Sequence, residues 1–393
     1  MSIPISLSAV QIKKLGRLIK DAGTNVPFYR RRFRESGIDP DQIDIASDFS
    51  RIEPLTKSDL LSASPSDLIN RRFSSDKLAR EVTTGSTGEP FTQLMEPAYV
   101  AKRNVRFLRG LMQAGYRPWH RIMLVTETAR PGPRYLGRWC YASIGARSAD
   151  NAKAFLSYRP RVLYGCTTPL RLLAEQLQSA NDALPRLRCV ISTAEVLDAA
   201  TRELLETVFR APVRDFYGLT EMGLVAWQAG RADHYIGEQN SVLIELIPLD
   251  NHSGRCRLLM TNLDLFAAPL IRYETGDIAI TSNGRITGFE GRELDVLTSS
   301  DGERISPYSI TTRIQKLDGL RRFKLIETAV GAFTLRIEAD SDWHASISHD
   351  ASSLLEELIG NDIRLDIQFT DQLIPEGTRK FRTIESRVPK GHL

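Results

Sequence analysis

Cys189-Val190-Ile191-Ser192-Thr193-Ala194-Glu195 reads as a short buried strand that runs out into polar residues. The same pattern stands on either side of it. Val162-Leu163-Tyr164-Gly165 is a strand followed by Cys166-Thr167-Thr168, and Val213 to Tyr217 is a strand followed by Gly218-Leu219-Thr220-Glu221. Helices are expected over about 148–157, from Leu170 to Leu177 and over 198–208. Strands alternating with such helices specify βαβ units and a largely parallel sheet. Sheets of that kind bind ligands at the carboxyl ends of their strands. Three polar strand ends would here converge on one site.

Further out, the pattern changes. Upstream, Arg121 to Thr126 is another buried strand, and 97–114 is a helix with Val100, Val105, Leu108 and Leu111 on one side. Residues 7–36 have helical spacing that Pro27 interrupts. After about 235, Val242 to Ile247, Cys256 to Thr261 and Ala279 to Thr281 are strands without long helices between them, so an antiparallel sheet or barrel is expected. From about 296 a small α+β unit follows, with helices from Ser309 to Leu317 and over 347–359 and strands over 322–328, 332–339 and Asp362 to Phe369. The expected class is α/β. A large domain of mixed sheets and helices fills 1–294, its β-rich part at about 235–294, and a small α+β domain fills 295–393.

Composition excludes several classes. Hydrophobic residues make up 42% and charged residues 25%, which is ordinary for a folded soluble domain. The 52 basic against 48 acidic residues give a net charge of +4, which argues for neither nucleic acid nor an acidic membrane as partner. The run Tyr29-Arg30-Arg31-Arg32-Phe33-Arg34 is read as one helix face, because Phe28 and Phe33 interleave with it. No apolar stretch is long enough for a membrane span, and the first residues lack a secretory pattern. Cys140, Cys166, Cys189 and Cys256 are scattered, so neither a zinc site nor a disulfide framework is indicated. A cytoplasmic setting is the expectation.

Thr83-Thr84-Gly85-Ser86-Thr87-Gly88-Glu89-Pro90 lies between two short strands, Arg80 to Val82 and Phe91 to Met95. Gly85 and Gly88 let backbone approach a ligand closely. Backbone N–H groups and four hydroxyls then line an anion-sized concavity. The GK[ST] ending of a Walker loop is absent. An ordinary polar hairpin turn is the plain alternative. Four later segments add chemistry: Asp215-Phe216-Tyr217-Gly218-Leu219-Thr220-Glu221-Met222-Gly223, Tyr273-Glu274-Thr275-Gly276-Asp277, Gly291-Arg292-Glu293-Leu294-Asp295 and Gly377-Thr378-Arg379-Lys380-Phe381-Arg382. Each has a bland reading alone. Asp277 can cap a turn, Arg292 can form a surface ion pair, and Glu221 can sit in the first turn of a helix.

In this order and at these separations the five segments resemble the adenylate-forming superfamily of acyl- and aryl-CoA ligases. The branch they look like is the phenylacetate–CoA ligase family and its capsule-biosynthesis-type relatives. The resemblance extends to Val26-Pro27-Phe28-Tyr29-Arg30, Pro54-Leu55-Thr56-Lys57 and Ala268-Pro269-Leu270-Ile271-Arg272-Tyr273. It implies an ATP-dependent, AMP-forming ligase that adenylates a small, aromatic carboxylic acid and passes the acyl group to coenzyme A.

The resemblance also implies roles. Thr83, Thr84, Gly85, Ser86, Thr87 and Gly88 would hold the outer phosphates of ATP. Ser192, Thr193, Ala194 and Glu195, with Asp215, Phe216 and Tyr217, would flank the adenine, Tyr217 stacking on it or closing the acyl pocket, and Gly218 and Thr220 would belong to the same nucleotide-binding set. Glu221 would bind Mg²⁺, Asp277 would accept from both ribose hydroxyls, and Arg292 would contact ribose and phosphate. Lys380 would enter on the small domain, which is mobile in the family, and touch the carboxylate and α-phosphate. Tyr141, Tyr164, Gly165 and Met222 are candidate acyl-pocket residues, although such residues are more often plain core. Three features depart from the family: no lysine follows Pro90, Leu294 stands at the usual hinge position, and the chain is short around 130–160. The acceptor stays open between coenzyme A, a carrier-protein thiol and an amine. The oligomeric state stays open too, and an inactive nucleotide-binding protein is the alternative of another class.

Overall fold

The computed structural model describes residues 7–82, 91–126, 133–143, 148–178, 184–230, 232–249, 254–292, 297–298, 304–305, 307–314, 316–373 and 383–388. The chain divides into two compact units. One comprises residues 1–114 and 216–289, and the other 115–215 and 290–393.

In the first unit, Ser8 and Gln11 form a reciprocal capping box that starts the helix Ala9–Asn25. Pro27 ends its pattern and opens the next helix, Pro27–Glu35, at a position where its missing N–H costs nothing. Leu15, Leu18 and Ile19 of the first helix and Phe28, Tyr29 and Phe33 of the second are buried in one core. That core includes the inner face of an antiparallel sheet, Val242–Pro248, Arg255–Asn262, Tyr273–Ser282 and Arg285–Arg292, in chain order. The basic run 30–34 therefore belongs to a helix whose aromatic residues are inside. Ala79–Val82 and Thr92–Met95 pair antiparallel, Val82 opposite Thr92. The Thr83–Pro90 loop that joins them lies outside the described residues. The helix Pro97–Ala114 lies close on strand Gly223–Gln228, since a Cβ at Gly110 would come within 2.5 Å of the Leu224 side chain.

One side chain ties much of this unit together. Arg272 is buried, at 6% exposure, with φ at +52°, a conformation that L-residues rarely adopt. Its guanidinium reaches both carboxylate oxygens of Glu245 at 2.9–3.1 Å and donates to the carbonyls of Ser50 and Ile52. Its backbone N–H donates to Thr261 Oγ1 at 2.8 Å, and its carbonyl accepts from Leu55 N–H at 2.9 Å.

In the second unit, strands Trp139–Ser143, Ile122–Thr126, Val162–Cys166 and Cys189–Thr193 lie side by side and parallel in that order. Arg134–Leu136 adds an antiparallel edge. The helices Ser148–Tyr158, Thr167–Gln178 and Ala199–Phe209 connect and flank these strands, and a second core (Val125, Phe155, Leu163, Leu173, Val190, Leu205) holds them. The expected βαβ repeat is present. The strand Trp139–Ser143 is an addition that the sequence reading lacks. The carboxyl-terminal segment forms a four-stranded sheet in the order Arg364–Phe369, Ala332–Ala339, Leu320–Ala329, Ile384–Ser386, with a central antiparallel pair and parallel edges. Its core, from Leu297 to Ile384, is its own. No helix among the described residues is long and apolar enough to cross a membrane.

An ionic clasp joins this segment to helix Thr167–Gln178. Arg322 pairs with Glu338 at 2.7 and 2.9 Å on its own sheet and also with Glu175 on the helix. Arg171 holds the Glu175 carboxylate at 3.0 Å and donates to the Arg321 carbonyl at 2.8 Å. Arg322 and Glu338 are 15% and 8% exposed, so solvent screens this network less than a surface pair. A double-mutant cycle of Glu175→Ala and Arg322→Ala, read by denaturant unfolding, should give a coupling of about 1 kcal/mol. Additive losses would mean that the clasp contributes nothing.

Candidate active site

In the second unit the ends of two neighbouring strands lie side by side. Gly165 lies opposite Ser192, and Cys166 opposite Thr193. Beyond them, Thr167 Oγ1 and Ser192 Oγ are 2.7 Å apart, and Thr167 Oγ1 also donates to the Glu195 carbonyl at 3.2 Å. The Glu195 carboxylate accepts the Thr168 N–H at 3.0 Å and the Thr168 hydroxyl. It thereby satisfies the first turn of helix Thr167–Gln178, where backbone N–H groups have no partner in the helix and negative charge is favoured. Ala194 makes this turn with φ at +69°, a strained value for a residue with a Cβ. Glu195 is thus fixed as a helix cap. The adenine-flanking role that the sequence suggests for Thr193, Ala194 and Glu195 would fall to the edges of this turn.

The candidate acyl-pocket residues of this unit separate by face. Tyr141 and Tyr164 both lie opposite Leu124, on strands to either side of it, so the three side chains share a face of the sheet. Burial pushes the Tyr164 phenol well above its ordinary value, and a hydrogen bond with Thr193 offsets part of this. Burial also raises Tyr141, against the pull of Arg134. Gly165 is on the other face. A Cβ there would sit 2.8 Å from the Val125 carbonyl and 3.2 Å from Leu170, so the glycine serves close packing of strand and helix. Asp215, at 8% exposure, ends the first of this unit's two segments.

The first unit holds the remaining candidate residues. Strand Val213–Leu219 pairs antiparallel with Gly223–Gln228, and the register shifts between Tyr217 and Gly218. Gly218 is needed there, because a Cβ would lie 2.7 Å from the Gly223 carbonyl. Phe216 is buried, at 1% exposure, beneath Gly110, while Thr220 is exposed in the turn. Met222 is a core residue whose carbonyl accepts from Tyr99 Oη at 2.9 Å and from Arg106. A pocket role for Met222 would require it to reach through that core.

Tyr217 and Glu221 both meet the Tyr273–Ser282 strand. Between Arg257 and Leu259 the facing register slips, and Thr275-Gly276-Asp277 fills the resulting bulge with Gly276 at φ +75°. Asp277 N–H donates to Thr275 Oγ1 at 3.1 Å, which turns the Asp277 side chain toward Tyr217. The Tyr217 hydroxyl donates to Asp277 Oδ2 at 2.6 Å. The Tyr217 ring stacks on Phe289 at 3.7 Å between centroids and 10° between planes. Four residues before Asp277, the Tyr273 hydroxyl donates to Glu221 Oε1 at 3.3 Å, and Glu221 is only 6% exposed. The structure thus ties Tyr217 to Asp277 and Glu221 to Tyr273, two positions of one strand. Sequence reasoning missed Tyr273 and Phe289 as partners of these residues, since pairs 52 or more residues apart leave no local signal.

Among the described residues no three His, Cys, Asp or Glu side chains converge on a metal position. The strand Arg285–Arg292 ends at Arg292. The side chain of Arg292, the Thr83–Gly88 loop, Leu294 and Lys380 lie outside what is described.

No protein-family model matches the chain. The chain is 26% identical over 346 residues to the phenylacetate-coenzyme A ligase of Escherichia coli strain K12, covering 80% of this chain and 77% of that one. In structure it is similar to 2-hydroxyisobutyryl-CoA ligase in the postadenylation state with 2-HIB-AMP. The TM-score is 0.77 at 21% identity, over 99% of this chain and 91% of the other. It is also similar to the anthranilate CoA ligase AuaEII with anthranoyl-AMP, with a TM-score of 0.61 at 15% identity, over 80% and 68% of the two chains.

Proposed function

We propose that this chain, a member of the adenylate-forming superfamily by its fold and its likeness to phenylacetate–CoA ligases, is an ATP-dependent, AMP-forming acid–CoA ligase. The observation that carries the reading is that Tyr217 and Glu221 both bond to one strand, Tyr217 to Asp277 and Glu221 to Tyr273. This strand would serve a phenol ring for the base, a buried carboxylate for the ribose diol and a second carboxylate for a phosphate-bound cation.

The reaction has two halves. A carboxylate oxygen of the acid attacks the α-phosphorus of ATP, and the bond to pyrophosphate breaks. The thiol of coenzyme A then attacks the acyl carbon, and AMP leaves. Asp277 orients the ribose by accepting its hydroxyls, and Tyr217 orients the base. Glu221, held by Tyr273, would hold magnesium, which offsets charge on the phosphates as pyrophosphate departs. Lys380 is assigned the same task at the α-phosphate, carried by the small domain 295–393. That domain would rotate between the half-reactions, and the Arg322–Glu175 clasp is what it would release.

The substrate we propose is a small aromatic acid, on the ground that Tyr141 and Tyr164 share a face beside the strand ends. The test is acid-dependent exchange of pyrophosphate into ATP across a panel of aryl and alkyl acids. Exchange with aryl acids supports the reading, and preference for alkyl acids removes the aromatic part of it. If AMP release then requires an amine or a carrier-protein thiol and ignores coenzyme A, the acceptor is wrong. If no acid supports exchange, the reading as an inactive nucleotide-binding protein is favoured.

A further inference from the structure

Phe289 carries no role in the proposed reaction, yet it is the most closely engaged neighbour of a residue that does. Its ring lies parallel to Tyr217 at 3.7 Å, and Tyr235 closes on it edge-to-face at 4.8 Å and 80°. Parallel contact at this distance leaves no room for a base between the two rings. Tyr217 can therefore present only its opposite face to adenine. The same tyrosine is fixed at its far end by the 2.6 Å bond from its hydroxyl to Asp277. Ring plane and hydroxyl are thus constrained by different partners, and the hydroxyl in turn constrains the Asp277 carboxylate.

We infer that Phe289 is a positioning residue for the nucleotide, setting the plane of Tyr217, and that the Tyr217 hydroxyl separately sets the Asp277 rotamer that reads the ribose diol. The inference rests on the reading of this site as one for ATP. Aromatic pairs contribute more than the area they bury, and a ring held in one plane loses less freedom when a base stacks on it. A carboxylate offers about four lone-pair sites, so accepting a phenol hydrogen bond is compatible with accepting ribose hydroxyls. The two effects should therefore appear in different parts of the nucleotide.

The experiment is calorimetric titration of the full chain with magnesium and ATP, or with 2′,3′-dideoxy-ATP, which lacks the diol. Wild type should bind ATP more tightly than the dideoxy nucleotide. Phe289→Leu, which keeps an apolar side chain but not the plane, should weaken both nucleotides by the same factor, about five- to tenfold. Phe289→Tyr should restore both. Tyr217→Phe, which keeps the stack, should weaken ATP about fivefold and leave the dideoxy nucleotide unchanged. Should Phe289→Leu not fold, Phe289→Met, which is also apolar and has no ring plane, carries the same test. Wild-type affinity in Phe289→Leu, or equal loss of both nucleotides in Tyr217→Phe, would overturn the inference while ATP binding stands. Wild type binding neither nucleotide would overturn the ATP reading and this inference with it.

Discussion

Lys380→Ala is expected to reduce acid-dependent pyrophosphate exchange by about 10²–10³-fold, the effect of removing one donor aimed at developing charge. Transfer of a supplied acyl-adenylate to coenzyme A should fall by less than about tenfold. The asymmetry follows from the charges. In the first half-reaction an anionic acid approaches a polyanion, and negative charge grows on the bridging oxygen as pyrophosphate leaves. A lysine at the α-phosphate meets both needs. In the second half-reaction the attacking sulfur meets an acyl carbon that already has AMP as a good leaving group, so the lysine has less to offset. Of the four lysines after Asp295, Lys316, Lys324, Lys380 and Lys390, only Lys380 stands in the Gly-x-x-Lys-Phe-Arg context. Lys324 is engaged by Glu385 at 2.8 Å on the sheet of the small domain. Equal loss of both half-reactions in Lys380→Ala would contradict the assignment, and retention of exchange with loss on Lys390→Ala would move the role to Lys390.

Arg272→Met should be the most damaging single change to the scaffold. It strands the Glu245 carboxylate, 3% exposed, and leaves the Ser50 and Ile52 carbonyls without their guanidinium donor. Breaking one side of a buried pair costs about 3–5 kcal/mol, and the expected fall in Tm is about 5–10 °C. The double change Arg272→Met with Glu245→Leu should recover much of this, because no unpaired charge remains. Glu245 also gives the loss a pH dependence. Burial already raises its carboxyl above the usual value, with Arg272 pulling it back. A carboxyl raised in the folded state binds its proton more readily there than in the unfolded chain. It therefore favours folding at low pH, and that contribution is lost as pH rises through the folded value. Without Arg272 the carboxyl rises further, so Arg272→Met should lie closer to wild type at pH 5 than at pH 8. A pH-independent deficit, or a double variant no more stable than the single one, would contradict this account. Activity should suffer as well, since Arg272 directly precedes the strand Tyr273–Ser282 that carries Tyr273 and Asp277.

The parts of the fold that were legible in the sequence share a property. Val162–Cys166 and Cys189–Thr193 are apolar runs buried in a parallel sheet, bounded by polar ends and separated by helices, and each local signal agrees with the tertiary role. Trp139–Ser143 was missed because Trp139 and Tyr141 are only partly buried and alternate with buried Cys140 and Ala142, which over so few residues is a weak pattern. The site was legible where chemistry needs a special backbone. Gly276 marks the bulge that carries Asp277, and Gly218 marks the close approach behind Tyr217. It was illegible where a partner lies far along the chain. Nothing near Glu221 points to Tyr273, nothing near Tyr217 points to Phe289, and alanine at 194 gives no hint of a left-handed turn. Glu195 shows the converse: its carboxylate is taken up by Thr168 at the start of a helix 27 residues earlier, a contact that only the folded sheet creates.

The central claim is that the acid is activated on the α-phosphate of ATP. An acid carrying heavy oxygen in its carboxylate, turned over with ATP and coenzyme A, tests it most directly by mass spectrometry of the released nucleotide. The account predicts AMP that carries one heavy oxygen from the acid, with unlabelled pyrophosphate. ADP with labelled inorganic phosphate, or AMP without label, would contradict it.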